Sequence, residues 1–342
     1  MIPADWLAHR AISSPDRVAL IYGGRQWRYA ELNELVAAMA GRLQAAGVRA
    51  GDHVAVLMPN CPEYVCVIHA LTRLGVVLVP LNLRLTPGEL RWQIVAADCA
   101  FLLCSQDTQA LAMAVAKHRP AMDHAELRVL PVDGLQPADH RFARPGASLT
   151  SADGRWEGRP PDWEAVQGII FTSGTTGRPK GAMLTYGNHL ASATASAFRL
   201  GTLPEDRWLV CMPLYHVGGL AIVLRCCLYG TTVVLQNRFD PDEVNQALDT
   251  QAVTLLSLVP TMLRRLLEAR GSRPFPASLR CVLVGGAPAS AALLQQSLAL
   301  GVPVATTYGL TEAASQVATA TPADVRRKAG ADETGLGHFV GR

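Results

Sequence analysis

Short apolar runs alternate with stretches of helical period along most of this chain, and that alternation restricts its fold more than any other feature. Over 29–46, Leu32, Leu35, Val36, Met39 and Leu43 recur at helical spacing until Gly47 stops them. Gly51 and Asp52 turn the chain into the buried run 53–57, followed by a helix over 62–73 and a strand over 76–79. Thr86, Pro87, Gly88 and Glu89 spell an N-cap, a proline in the first turn and a capping-box acid. A helix over 90–97 and a strand over 101–104 continue the series. Strand and helix in strict turn predict a parallel, doubly wound α/β sheet with helices on both faces.

The same grammar returns later. Apolar runs at 208–212, 232–235, 254–258, 281–284 and 304–307 read as strands, with helices over 242–248, 262–269 and 289–300 between them. Between the two series, 131–162 is rich in Pro, Gly, Asp and Arg and has no apolar period, which marks a linker. The expectation is two α/β subdomains, 1–165 and 166–342, forming one large domain with strand exchange between them left open. At 342 residues the chain is long enough for two cores. A net charge of +3 does not suggest nucleic-acid binding. No stretch reads as a signal peptide or membrane span, and eight cysteines without metal-type spacing suit a reducing cytoplasm.

The chemistry starts at 168–185. The run Ile169 to Phe171 feeds into Thr172, Ser173, Gly174, Thr175, Thr176 and Gly177, with Lys180 and Gly181 close behind. Glycines expose backbone N–H groups, the hydroxyls add donors and the ammonium adds charge, a set suited to a polyphosphate. Pro179 occupies the place where a P-loop needs its second glycine, so this is a different phosphate loop.

Three more polar clusters follow predicted strands, where ligands of open α/β sheets sit. They are 211–219 with His216 and Gly219 running into Leu220, then Gly285-Gly286-Ala287-Pro288, then Thr307-Tyr308-Gly309-Leu310-Thr311-Glu312. Four such loops on one rim predict one pocket. Tyr308 offers a ring for a base, Thr311 a hydroxyl for a phosphate oxygen, and Glu312 a hard oxygen ligand for Mg²⁺. Helix-start chemistry would equally place a hydroxyl and an acid at 311 and 312. His216 is open between a catalytic base, a pocket wall and a buried histidine, and its place beside Tyr215 and Gly218-Gly219 favours the wall.

These stretches together resemble the adenylate-forming superfamily of acyl-CoA synthetases, luciferases and adenylation domains. The likeness rests on Thr172 through Gly181, Pro213 through Gly219, Gly285 through Pro288 and Tyr308 through Glu312, in family order. Within it, 205–209, 232–239, 258–262 and 308–319 are similar to the o-succinylbenzoate–CoA ligases of menaquinone biosynthesis. The resemblance implies ATP, Mg²⁺ and coenzyme A, and an aryl carboxylate activated as an acyl-adenylate and then passed to the CoA thiol. It implies that Thr172–Gly177 and Lys180 handle the β- and γ-phosphates, that Thr311 touches the α-phosphate, and that Glu312 holds the metal. Gly285, Gly286, Ala287, Pro288, Thr307, Tyr308 and Gly309 would flank the nucleotide, and His216, Gly219, Leu220, Gly286 and Gln316 the acid.

The family continues past the point where this sequence ends, so the resemblance also implies an N-terminal fragment that lacks the small mobile C-terminal domain and turns over poorly alone. Other aryl- or medium-chain acyl-CoA ligases, and a non-catalytic acyl-adenylate-binding domain, are the competing expectations. Small-molecule partners, no nucleic acid, and room for a homo-oligomer complete the picture.

Overall fold

The computed structural model describes residues 5–118, 127–132, 134, 162–172 and 179–331. The chain divides into two compact units, Met1–Asp16 with Trp27–Asn188, and Arg17–Gln26 with His189–Arg342. Each is α/β with a sheet dominated by parallel strands, as the alternation of periods requires.

The first unit holds a six-stranded sheet in the order Arg128–Pro131, Cys99–Cys104, His53–Leu57, Val77–Pro80, Val166–Thr172, Lys180–Thr185. All neighbours are parallel except the last pair, which is antiparallel with Thr172 opposite Lys180. The phosphate-type loop is therefore the connection of a β-hairpin. Val77–Pro80 is buried at every position, the mark of a strand covered on both faces. One face packs Leu57, Val79, Leu102 and Ile169 against Leu90 and Ile94 of the helix Pro87–Ala96 and Ala112 and Val115 of Gln109–Lys117. The helix Pro62–Leu74 is buried over most of its length and packs on the helix Tyr29–Ala45. It ends at Gly75 with φ +67, a left-handed C-cap that favours glycine. The predicted capping box forms, with the Thr86 N–H donating to Glu89 Oε2 at 2.8 Å and the Glu89 N–H to Thr86 Oγ1 at 3.4 Å.

The other sheet has eight strands in the order Ser315–Ala320, Val304–Leu310, Cys281–Val284, Leu255–Leu258, Arg207–Val210, Thr232–Leu235, Val18–Tyr22, Arg25–Arg28, all in the second unit except Trp27 and Arg28 of the last. The strands from Val304–Leu310 to Val18–Tyr22 are parallel, and Ser315–Ala320 closes that edge antiparallel. Leu209, Val234, Leu256, Val282 and Val304 form one core face with Leu248, Leu263, Leu266, Leu294 and Val325 of the covering helices. The helix Val217–Tyr229 packs on Arg207–Val210, Thr232–Leu235 and Ser315–Ala320. None of its buried residues joins that cluster, so it covers the other face.

Several elements differ from the periodicity. The helix Trp6–Ser13 and the hairpin Val18–Tyr22 to Arg25–Arg28, turned by Gly23 and Gly24 at positive φ, precede the first element that the periodicity predicted. The last parallel strand extends through Leu310, so that Tyr308 and Gly309 lie inside it. The linker expected at 131–162 lies outside the described residues apart from 131, 132, 134 and 162. Among the described residues no helix is long and apolar enough to cross a membrane, and all eight cysteines are free thiols.

Candidate functional site

Parallel strands align their carboxyl ends, so the loops that follow them share one edge of the sheet. In the second unit this places the segments after Arg207–Val210 and Cys281–Val284, and the end of Val304–Leu310, along one rim. His216, Gly219, Leu220, Gly285, Gly286, Ala287, Pro288, Thr307, Tyr308, Gly309, Thr311, Glu312 and Gln316 all belong to this unit. Thr172 and Lys180 stand in the first unit, where the Thr172 hydroxyl donates to the Lys180 carbonyl at 3.4 Å. Ser173, Gly174, Thr175, Thr176 and Gly177 lie outside the described residues.

The glycines of the rim divide by cause. A Cβ on Gly285 would lie 2.6 Å from Thr307 Cγ2 and 2.9 Å from the Thr307 carbonyl oxygen. A Cβ on Gly309 would lie 1.9 Å from the Ser315 carbonyl oxygen, where the hairpin register shifts. A Cβ on Gly219 would lie 2.5 Å from the Pro213 carbonyl oxygen, in the first turn of the helix that His216 caps. These three are glycine because protein backbone occupies the space. Gly286 differs, being exposed with φ +78, and its only near neighbour would be Val259 Cγ1 at 3.3 Å. It is the rim glycine required by its left-handed backbone rather than by neighbouring main chain.

Tyr308 is 54% exposed on the last strand, and Glu312 is exposed in the single helical turn Thr311–Ala313. His216 is exposed, with its ring 4.7 Å from that of Tyr215. An exposed glycine backbone, an exposed phenol ring and an exposed carboxylate on one rim are chemically suited to a purine nucleotide with a hydrated divalent ion. Among the described residues no group of three or more His, Cys, Asp or Glu is poised to hold a metal by itself. Mg²⁺ held by one carboxylate needs phosphate oxygens and water for the remaining positions, which is its usual manner of binding.

Behind the rim runs a buried hydrogen-bond network that the sequence did not reveal. Thr307 Oγ1 donates to the Ala318 carbonyl at 3.0 Å and lies 2.8 Å from Thr319 Oγ1. Arg225, 3% exposed, donates through Nη1 to Gln316 Oε1 at 2.7 Å and through Nη2 to Ser192 Oγ at 2.9 Å. Both partners are neutral. Among the described residues no carboxylate lies within ion-pairing distance of Arg225, and its Nε–H has no partner there. Burial pulls the guanidinium below its ordinary pKa. The same burial, with Arg225 adding to it, pushes His189 down to about 4. The one available signal was an arginine inside the otherwise apolar helix Val217–Tyr229.

The half-buried Arg280, by contrast, is neutralised by a buried carboxylate. Asp206 accepts from Arg280 Nη2 at 2.6 Å, from the Leu203 N–H at 2.8 Å and from Thr254 Oγ1 at 2.8 Å. Burial alone would raise its carboxyl, but these donors outweigh it and hold the group below the usual range. That cluster ties the strand ends opposite the rim. It is structural.

Comparison with known proteins gives the family and the architecture. The model of the family described as AMP-binding enzyme matches residues 7–336. The chain is 41% identical over 315 residues to a 2-succinylbenzoate–CoA ligase of Bacillus cereus (strain Q1), covering 92% of this chain and 60% of that protein. An o-succinylbenzoate coenzyme A synthetase of Bacillus subtilis, solved with ATP and magnesium ion, superposes with a TM-score of 0.80 at 35% identity, over 95% of this chain and 63% of that one. The inhibitor-bound N-terminal domain of FACL13 from Mycobacterium tuberculosis superposes with a TM-score of 0.83 at 26% identity, over 96% and 81%. The two parallel-dominated sheets are thus the architecture of such an N-terminal domain. The chain spans about 60% of the length of the curated relatives it matches.

Proposed function

We propose, from the premise that the chain belongs to the family of AMP-binding enzymes, that it serves the activation of an aryl carboxylate with ATP. In this reading the carboxylate oxygen attacks the α-phosphate, pyrophosphate leaves, and an acyl-adenylate forms. A CoA thiol then attacks the acyl carbonyl and releases AMP. The attacking acid is already an anion, so the protein's task is to position it and to neutralise phosphate charge rather than to remove a proton. The observation that carries this reading is the shared rim of Gly286, Tyr308, Thr311 and Glu312.

The roles follow from chemistry and position. Gly285 to Pro288, with Thr307, Tyr308 and Gly309, would border the adenine. Thr311 would donate to the α-phosphate, and Glu312 would hold Mg²⁺, which neutralises phosphate charge when bound. Thr172 to Gly177 with Lys180 would receive the β- and γ-phosphates, and His216, Gly219, Leu220 and Gln316 would border the acid. The subdomain 166–342 would carry most of these groups. Free thiols at all eight cysteines support a place in the cytoplasm. Small molecules are the expected partners, without nucleic acid, and a homo-oligomer is compatible with this reading.

For the acid itself we propose 2-succinylbenzoate. Two supports converge: the named relatives and Arg225. A buried guanidinium without a counter-charge is costly, by several kcal/mol in real proteins. An acid bringing a second carboxylate near Gln316 would offset that cost. Calorimetry with sulfamoyl-adenosine analogues of 2-succinylbenzoate and of benzoate tests this. Heat and thermal protection from the first, a preference over the second of at least ten-fold, and loss of that preference in Arg225→Met are expected. Heat from neither analogue would remove the adenylate reading; equal heat from both would remove the dicarboxylate.

A further inference from the structure

The turn that carries Thr311 and Glu312 is built on backbone that L-residues avoid. Ala314 has φ +52 and Ser315 φ +108, two consecutive non-glycine residues at positive φ. The Ala314 N–H closes the turn on the Thr311 carbonyl at 2.9 Å. The Ala314 carbonyl, on the other side of the same residue, accepts from Ser192 Oγ at 2.8 Å.

Ser192 is buried on the helix Tyr186–Leu200, and its hydroxyl has no freedom of direction. A guanidinium can only donate, so Ser192 Oγ must accept from Arg225 Nη2, and its single proton is left for the Ala314 carbonyl. The other arm of Arg225 holds Gln316, one residue beyond Ser315. One buried guanidinium therefore grips both flanks of the strained pair, through Ser192 on one side and Gln316 on the other. Residues in sparsely populated backbone regions persist only where their surroundings over-determine them. This bracing supplies that.

We infer that Ser192 is a positioning residue, whose hydroxyl, directed by Arg225, holds Ala314 left-handed and thereby aims Thr311 and Glu312. The inference rests on the nucleotide role given above to those two residues. Ser192 itself touches neither nucleotide nor acid. Loss of the hydroxyl would leave the Ala314 carbonyl and an Arg225 N–H buried without partners, and release the turn toward ordinary backbone.

Amide hydrogen exchange on the ligand-free chain decides the structural half. In Ser192→Ala, exchange across 309–317 should accelerate at least ten-fold while the strands Cys281–Val284 and Leu255–Leu258 stay at the wild-type rate. Ser192→Thr, which keeps the hydroxyl, should remain within two-fold of wild type and guards against a misfolded alanine variant. Unchanged exchange in the alanine variant, or acceleration spread over the whole second unit, would overturn the inference. Calorimetry with ATP and magnesium decides the functional half: affinity should fall about ten-fold in Ser192→Ala and recover in Ser192→Thr. A loosened turn with wild-type affinity would overturn it. If the wild-type chain itself bound no nucleotide, the adenylation reading would fall, while the exchange comparison would still show whether Ser192 holds the turn.

Discussion

Replacing Gly309 by alanine would place a Cβ 1.9 Å from the Ser315 carbonyl oxygen, with backbone rather than a pliable side chain in the way. The substitution should destabilise the fold by about 3 kcal/mol, the upper end of ordinary overpacking, as urea unfolding would show. Gly286→Ala meets only the Val259 side chain, at 3.3 Å, so its cost comes mainly from φ +78, on the order of 1–3 kcal/mol. The sequence singled out the tyrosine and glycine at 308 and 309, but not the reason for the glycine. The sequence suggested room for a ligand, whereas Gly309 makes room for its own hairpin. Contacts between residues that pair through a register shift leave no trace in composition.

Protonation belongs to this scale too. Burial lowers His69 and His189 to about 4 each, from an ordinary 6.5. Between those values the unfolded chain binds protons that the folded chain refuses, so stability falls as pH drops from 6.5 to 4. Each group contributes about 3 kcal/mol to that loss. Urea midpoints across the window should show a steep decline at acid pH, reduced by roughly half in His69→Leu. A flat profile would contradict the buried neutral imidazoles.

At the scale of elements, short strands buried on both faces were readable because they are continuous apolar runs between turn residues. The capping box at Thr86 was readable because its atoms are local. Thr86→Ala should lower stability by about 1 kcal/mol, measurable as a small shift in the thermal midpoint, with nucleotide binding unchanged. Val18–Tyr22 and Lys180–Thr185 were missed for opposite reasons. The first is apolar enough, but its partner Thr232–Leu235 lies far along the chain. The second has an exposed, glycine-containing sequence and exists because Val166–Thr172 presents an edge to it. The Arg225 network escaped for the first reason: Ser192, Arg225 and Gln316 come from a helix, a second helix and an edge strand. No spacing rule links them.

For the whole molecule, the division into units does not follow the chain. Residues 17–26 belong with 189–342, where Val18–Tyr22 pairs along Thr232–Leu235, the Arg17 guanidinium donates to the Gly230 carbonyl at 3.1 Å, and Thr232 Oγ1 donates to the Val18 carbonyl at 2.7 Å. A chain without residues 1–26 should therefore expose a buried strand edge and associate in size-exclusion chromatography. A peptide of residues 17–26 added in trans should restore the elution of the 342-residue chain. Elution unchanged from that of the 342-residue chain without the peptide would contradict the pairing.

The strand Val18–Tyr22 also sets a clock. Its hydrogen-bonding partner is 214 residues later in the sequence, and a ribosome adding about 5–20 residues per second needs roughly ten to forty seconds to deliver it. Throughout that interval Arg25–Arg28 can pair along one edge of this apolar strand, while the edge that Thr232–Leu235 will take stays open. Slower translation lengthens the exposure, and so the yield of this protein in a cell should depend on holdase chaperones acting on its first thirty residues more than on its final stability.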